Sequence, residues 1–150
     1  MNKKKTKDLS ELIKELSEIY DVESKNTYVT ISLNKEASIK FFEGRENACS
    51  SLLSGEEQKN FTNTMKTIKD FLQKNKGFKG VLFASYKYNF FKYISLSVKL
   101  DNSLVVDSSP YIRPLARIED EWESFTLVLL NTNYAKIFSV SLGMVEQKKN

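Results

Sequence analysis

Hydrophobic and polar positions recur with two different periods along this chain, and the switches between them mark out its elements. Leu9, Leu12, Ile13, Leu16 and Ile19 form one apolar stripe behind Asp8 and Glu11, a capping-box-like pair, which predicts a helix from Asp8 to Tyr20. Asp21 to Asn26 is polar and reads as a connection. From Thr27 to Leu33 the period drops to two: Val29, Ile31 and Leu33 alternate with Tyr28, Thr30 and Ser32, which predicts the first strand.

Asn34 to Leu53 gives a mixed signal. Ile39, Phe41 and Phe42 suggest a buried patch, whereas Gly44, the charges and a serine pair suggest a loop, so the segment reads as irregular or partly helical. Ser54 and Glu57 then form a capping box, opening a helix to about Asn75 with Phe61, Met65, Ile68 and Leu72 on one face. Gly77 suits the left-handed position just past its end. Gly80 to Ser85, GVLFAS, is a nearly all-apolar strand of the kind found in the middle of a covered sheet. Phe90 to Val98 and Leu104 to Val106 predict two more strands.

The stretch from Asp107 to Val140 is the most informative. Pro110 and Pro114 each fix φ and remove a backbone donor, so Ser108 to Arg113 is extended or turned, and Pro114 suits the first turn of a helix to about Glu123. Leu115, Ile118 and Trp122 share one face of that helix. Phe125 to Leu130, a turn at Asn131 to Asn133, and Tyr134 to Ser141 predict a hairpin, apolar on both faces and therefore buried. The order of elements predicts an α+β domain, a mostly antiparallel sheet covered by the first helix and the long helix, with a C-terminal β-hairpin. The boundary falls near Glu123–Ser124, dividing the chain into 1–123 and 124–150, the second part being the candidate start of a further domain.

Composition narrows the function classes. The chain has 150 residues, 41% of them apolar, enough for one core of ordinary size. The net charge is +4, with Lys3, Lys4, Lys5, Lys7, Lys148 and Lys149 at the ends, which read as solvated tails or, less simply, as an electrostatic footprint on RNA. A lone Cys49 permits no internal disulfide and fits a reducing compartment. No apolar run reaches membrane-spanning length and the basic start is not a signal peptide, so a cytoplasmic location without membrane association is expected.

The absence of His removes Ser-His-Asp and Cys-His catalysis and His metal sites. Cys49, without a His or a second Cys, reads as a packing or loop residue. Glu119, Asp120, Glu121 and Glu123 read as a solvated helix face rather than a cation site, and the scattered glycines form no phosphate loop. Tyr86, Tyr88, Phe90, Phe91 and Tyr93 interleave with Lys87 and Lys92, as single-stranded RNA platforms do; the plainer reading is a strand with a core face and a half-exposed face.

Three segments together, GVLFAS, the run from Asp107 to Leu130 (PYIRPLARIEDEWESFTLVLL from Pro110 onward) and NTNYAKIFSVSLGMV, resemble the bacterial relatives of archaeo-eukaryotic peptide-chain release factors, the group often called baeRF. The resemblance spans Tyr28 to Val145. It rests on a PxxRPL run, Pro110 to Leu115, and on Ala135-Lys136-Ile137-Phe138 in place of an AR(I/L)F core. It implies a first domain similar to the α+β sandwich that enters the ribosomal decoding site. Asn47-Ala48-Cys49-Ser50 stands where such factors carry Asn-Ile-Lys-Ser, and Leu104 to Pro110 where they carry Tyr-x-Cys-x-x-x-Phe, so the stop-codon-reading motifs are lacking. The Gly-Gly-Gln of peptidyl-tRNA hydrolysis does not occur.

The expectation is therefore an N-terminal domain directed to the ribosome, rRNA or tRNA, not itself an enzyme. Its expected contact residues are Lys87, Tyr88, Lys92, Tyr93, Asn47, Ser50 and Arg113, with no catalytic residue, metal or cofactor. Two other classes stay open: a protein-interaction domain without a nucleic-acid role, and an enzyme subunit whose reactive groups lie downstream.

Overall fold

The structure, a computed structural model, describes residues 2–34, 39–121, 125–141 and 144–148. Trp122, the boundary at Glu123–Ser124, residues 35–38 and the side chains of the terminal lysines lie outside the described residues. In chain order the elements are α1 (Asn2–Ser17), β1 (Tyr28–Leu33), α2 (Ile39–Leu52), α3 (Gly55–Lys74), β2 (Gly80–Ser85), β3 (Phe90–Ser95), β4 (Ser103–Asp107), α4 (Arg113–Glu121), β5 (Phe125–Leu130), β6 (Ala135–Ser141) and β7 (Met144–Lys148).

The first four strands form one antiparallel sheet in the order β3-β2-β1-β4. Strand pleating sends alternate residues to opposite faces, and both faces are covered. On one, Leu9 and Leu16 of α1 and Leu115 and Ile118 of α4 pack on Val81 and Phe83. On the other, Phe61, Met65 and Ile68 of α3 pack on Val29, Ile31, Leu82 and Leu104. Burial of each large apolar side chain here contributes about 1.5–3 kcal/mol relative to exposure. The two central strands are accordingly buried at every position.

Four local expectations are revised. First, the segment expected to be irregular or partly helical is a full helix, α2, whose Phe42 and Cys49, with Leu53 just past its end, pack against the α3 side of the core. Its stripe is broken by Glu46, which pairs with Lys69 at 2.6 Å, while Gly44 lies on the open side of the helix with no neighbour within 4 Å of where a Cβ would lie. Second, Ser54 stands at the N-cap of α3 in extended conformation, φ −143°, but its side chain makes no cap hydrogen bond. Glu57 accepts bonds from Ser24, Lys25 and Asn26 instead.

Third, β3 stops at Ser95, opposite Gly80 where its partner begins; one further backbone bond follows, from Leu96 N–H to the Lys79 carbonyl at 3.0 Å, and Leu96 and Val98 enter the core beyond the strand. Fourth, the hairpin is not buried. Its turn is at the expected place, with the Asn131 side chain accepting from the amides of Asn133 and Tyr134 at 2.7 and 3.0 Å. A third strand, β7, joins it in the order β5-β6-β7. All six residues of β5 are nevertheless exposed, since among the described residues no layer covers that sheet as the helices cover the first.

Gly77 has the expected positive φ, 81°. No helix among the described residues is long and apolar enough to cross a membrane.

Candidate functional site

At one end of the main sheet, residues 21–27, the first turns of α3 and the β2–β3 turn converge around a cavity of about 560 Å³, lined by Glu23, Asn26, Glu56, Lys59, Asn63 and Tyr86 among others. Asp21 organises this end. Its carboxylate accepts hydrogen bonds from Thr27 Oγ1 at 2.5 Å, the amides of Glu23 and Ser24 at 2.9 and 3.2 Å, and Lys87 Nζ at 3.1 Å. The Thr27 hydroxyl, then the Glu23 amide, Lys87 and Tyr88, hold the Asp21 carboxyl well below the usual carboxylate range despite its burial. In turn the Asp21 bond raises the pKa of Lys87.

Asn60 of α3 joins the remaining parts. Its Nδ2 donates to the carbonyl of Thr27 at 2.9 Å and its Oδ1 accepts from the amide of Lys87 at 2.7 Å. The Thr64 hydroxyl accepts from the amide of Tyr86 at 2.9 Å. The turn itself, Tyr86 to Asn89, closes with Asn89 N–H donating to Tyr86 O at 3.1 Å, and Asn89 takes a positive φ of 47°, which Asn tolerates. Glu57 is held below its usual range, first by Asn26 and then by Ser24 and Lys25.

The expected contact residues are divided among several places. Lys87 and Tyr88 share the turn: the ammonium lies 5.0 Å from the Tyr88 ring centre, and that ring stacks on buried Tyr28 at 5.9 Å and 15°. Lys92 and Tyr93, as strand neighbours, point to opposite faces. Lys92 pairs with Glu15 of α1, while Tyr93 packs against Phe71 and Phe78 at 4.7 and 5.9 Å. Both lysines are thus ion-paired, and the four residues form no single platform.

Asn47 and Ser50 lie within α2, not in a loop, on its way to the junction with α3. Arg113 opens α4 and lines a separate cavity of about 330 Å³. Cys49 is partly buried, and burial raises its thiol pKa, which keeps it in the unreactive protonated form.

Asp21, Asn60 and Tyr28 were not read as site residues in the sequence. The one signal for them was Asp21 followed by Glu23 and Ser24, since an Asp side chain readily caps the amides two and three residues on. Nothing along the chain pointed to Lys87, 66 positions away.

No family model matches the sequence, and no curated protein matches it. Solved structures do. The fold is similar to that of an archaeal translation termination factor, aRF1, with a TM-score of 0.60 at 13% identity over 96% of this chain. It is similar also to a structure described as an archaeal protein, with a TM-score of 0.59 at 13% identity over 96% of this chain. The chain spans less than half of each, 43% and 44% of their lengths.

Proposed function

We propose that this chain is a ribosome- or RNA-directed N-terminal domain of a release-factor-like translation termination or ribosome-rescue protein, of the bacterial group that its PxxRPL run resembles. The observation that carries the reading is the likeness to the archaeal termination factor, which extends over nearly the whole chain. That likeness supports a release-factor-like fold; the narrower assignment to the bacterial group rests on the sequence resemblance alone.

The domain acts by binding, and any peptidyl-tRNA hydrolysis belongs to a downstream domain. Stop-codon reading by the motifs of true release factors is not part of the proposal: Asn47 to Ser50 carries no Lys and is wound into α2, and β4 offers Leu104 and Val106 where Tyr and Cys would be required.

The test is co-sedimentation of the chain with purified ribosomes across a salt series. Contacts to phosphate release counterions, so the fraction pelleted should fall steeply as salt rises. Absence of pelleting at low salt, or pelleting without salt dependence, would replace this reading with the protein-interaction one.

A further inference from the structure

We propose that the cavity at the start of α4 is a phosphate-binding site. The observation that points to a ligand is Ser32. It is 1% exposed, and its hydroxyl has no hydrogen-bond partner. Buried hydroxyls are ordinarily satisfied, and the position one step along the same face of β1 follows that rule: Thr30 Oγ1 accepts the amide of Tyr111 at 3.0 Å. Pleating places Ser32 on the α4 face of the sheet with Thr30, where it lines the cavity of about 330 Å³. A group entering that cavity is the partner its hydroxyl lacks.

The charge around the cavity selects the partner. Lys99, Arg113 and Arg117 line it together with Asp101 and Glu121. Arg117 and Glu121 neutralise each other at 3.3 Å. Lys99 and Arg113 have no carboxylate within ion-pair distance among the described residues, which leaves two cations against Asp101. An acceptor-rich anion fits both the free hydroxyl donor and the free cations.

The site lies at the N-terminus of a helix, where the backbone dipole also favours negative charge. Pro114 contributes no N–H, and the amides of Leu115 and Ala116 are already given to the carbonyl of Ile112 at 3.0 Å each. Recognition therefore falls on the side chains of Arg113, Lys99 and Ser32. Arg supplies a fork that matches two phosphate oxygens, and Lys a point charge.

That the phosphate is a phosphodiester of RNA rests on the proposed function; that the cavity takes phosphate does not. The experiment separates the two. Backbone amide shifts of the labelled chain are followed while inorganic phosphate replaces chloride at constant ionic strength, and then with a short single-stranded RNA lacking terminal phosphates. Saturable shifts confined to residues 30–33 and 99–118 are expected with phosphate.

Arg113→Gln should abolish those shifts. Ser32→Ala, which removes an unpartnered hydroxyl and leaves the packing intact, should weaken binding on the order of tenfold, the worth of one hydrogen bond to a charged group. The same shifts with the RNA identify a backbone phosphodiester as the ligand, and shifts with phosphate alone identify a free phosphate group. Shifts with neither, or shifts that survive both substitutions, overturn the site. Ribosome binding lost with Arg113→Gln ties the site to the proposed function; ribosome binding retained by that variant, with its phosphate response gone, separates them.

Discussion

The Asp21 carboxylate and the Lys87 ammonium lie 3.1 Å apart and join the loop before β1 to the β2–β3 turn, but they are not equal partners. The Asp21 side chain is 1% exposed and that of Lys87 39%. Removing Lys87 leaves Asp21 with Thr27 and two backbone amides, whereas removing Asp21 leaves a buried hydroxyl and two amides without an acceptor. Unpartnered buried groups are more costly than a lost surface charge. Asp21→Ala should therefore lower the urea midpoint clearly more than Lys87→Ala. Equal midpoints would show that the ion pair, not the loop network, holds this end together.

The same groups set a pH dependence. Asp21 and Glu57 both have folded pKa values below their unfolded ones, so the folded state releases protons first. Their stabilisation is fully present above the ordinary carboxylate range, about 4, and is lost as pH falls through the lower folded values. Lys87, whose folded pKa is raised, contributes fully below about 10.4, and that contribution is lost as pH rises through the folded value. Denaturation midpoints should fall on going from neutral pH to pH of about 3. Asp21→Asn should flatten this acid limb; an unchanged limb would count against the assignment.

Gly80 and Gly44 should respond oppositely to alanine. A Cβ on Gly80 would lie 1.9 Å from the Ile94 carbonyl oxygen, and its φ of 152° is one that other residues rarely adopt, so Gly80→Ala should destabilise by at least about 1–3 kcal/mol. Gly44 lies inside α2 with open space around it, and Gly44→Ala should stabilise by about 0.4–1 kcal/mol. Thermal unfolding of the two variants beside the parent checks both signs.

Exposed β5 should drive self-association. Leu127, Val128, Leu129 and Leu130 are all solvent-accessible, and β5 is an edge of its sheet. Apolar edge strands invite pairing, and an edge lysine suppresses it. Val128→Lys should reduce concentration-dependent light scattering while leaving the unfolding of the main sheet unchanged. A parent chain that stays monomeric at every concentration removes the premise.

In the main core, Ile68→Ala should cost about 2–5 kcal/mol, because the side chain is fully buried between α3 and the sheet and its removal leaves a cavity. Chemical denaturation measures this directly.

What the chain order alone determined were the elements whose burial is periodic. The stripes of α1 and α3, the alternation of β1, the apolar run of β2 and the Asn-rich turn between β5 and β6 were all legible, because each side chain's fate there follows from its neighbours along the chain. Tertiary structure decided the rest. Helix α2 was obscured because one position of its stripe holds Glu46, whose partner Lys69 belongs to another helix.

Glu57 matched a capping box, yet three donors from residues 24–26 compete for its carboxylate and take it. Lys87 and Lys92 looked like one basic strand until folding brought Asp21 to the first and Glu15 to the second. The exposure of the hairpin has the same origin: apolar composition tells what a strand can bury, but the layer that would cover it must come from elsewhere. Ser32 is one of three polar positions alternating along β1, and only the fold, which brings the Tyr111 amide to Thr30 and no hydrogen-bond partner to Ser32, distinguishes the two. Periodicity is a local property of the chain, whereas hydrogen-bond partners and charge pairs are fixed by which distant segments the packing brings within reach.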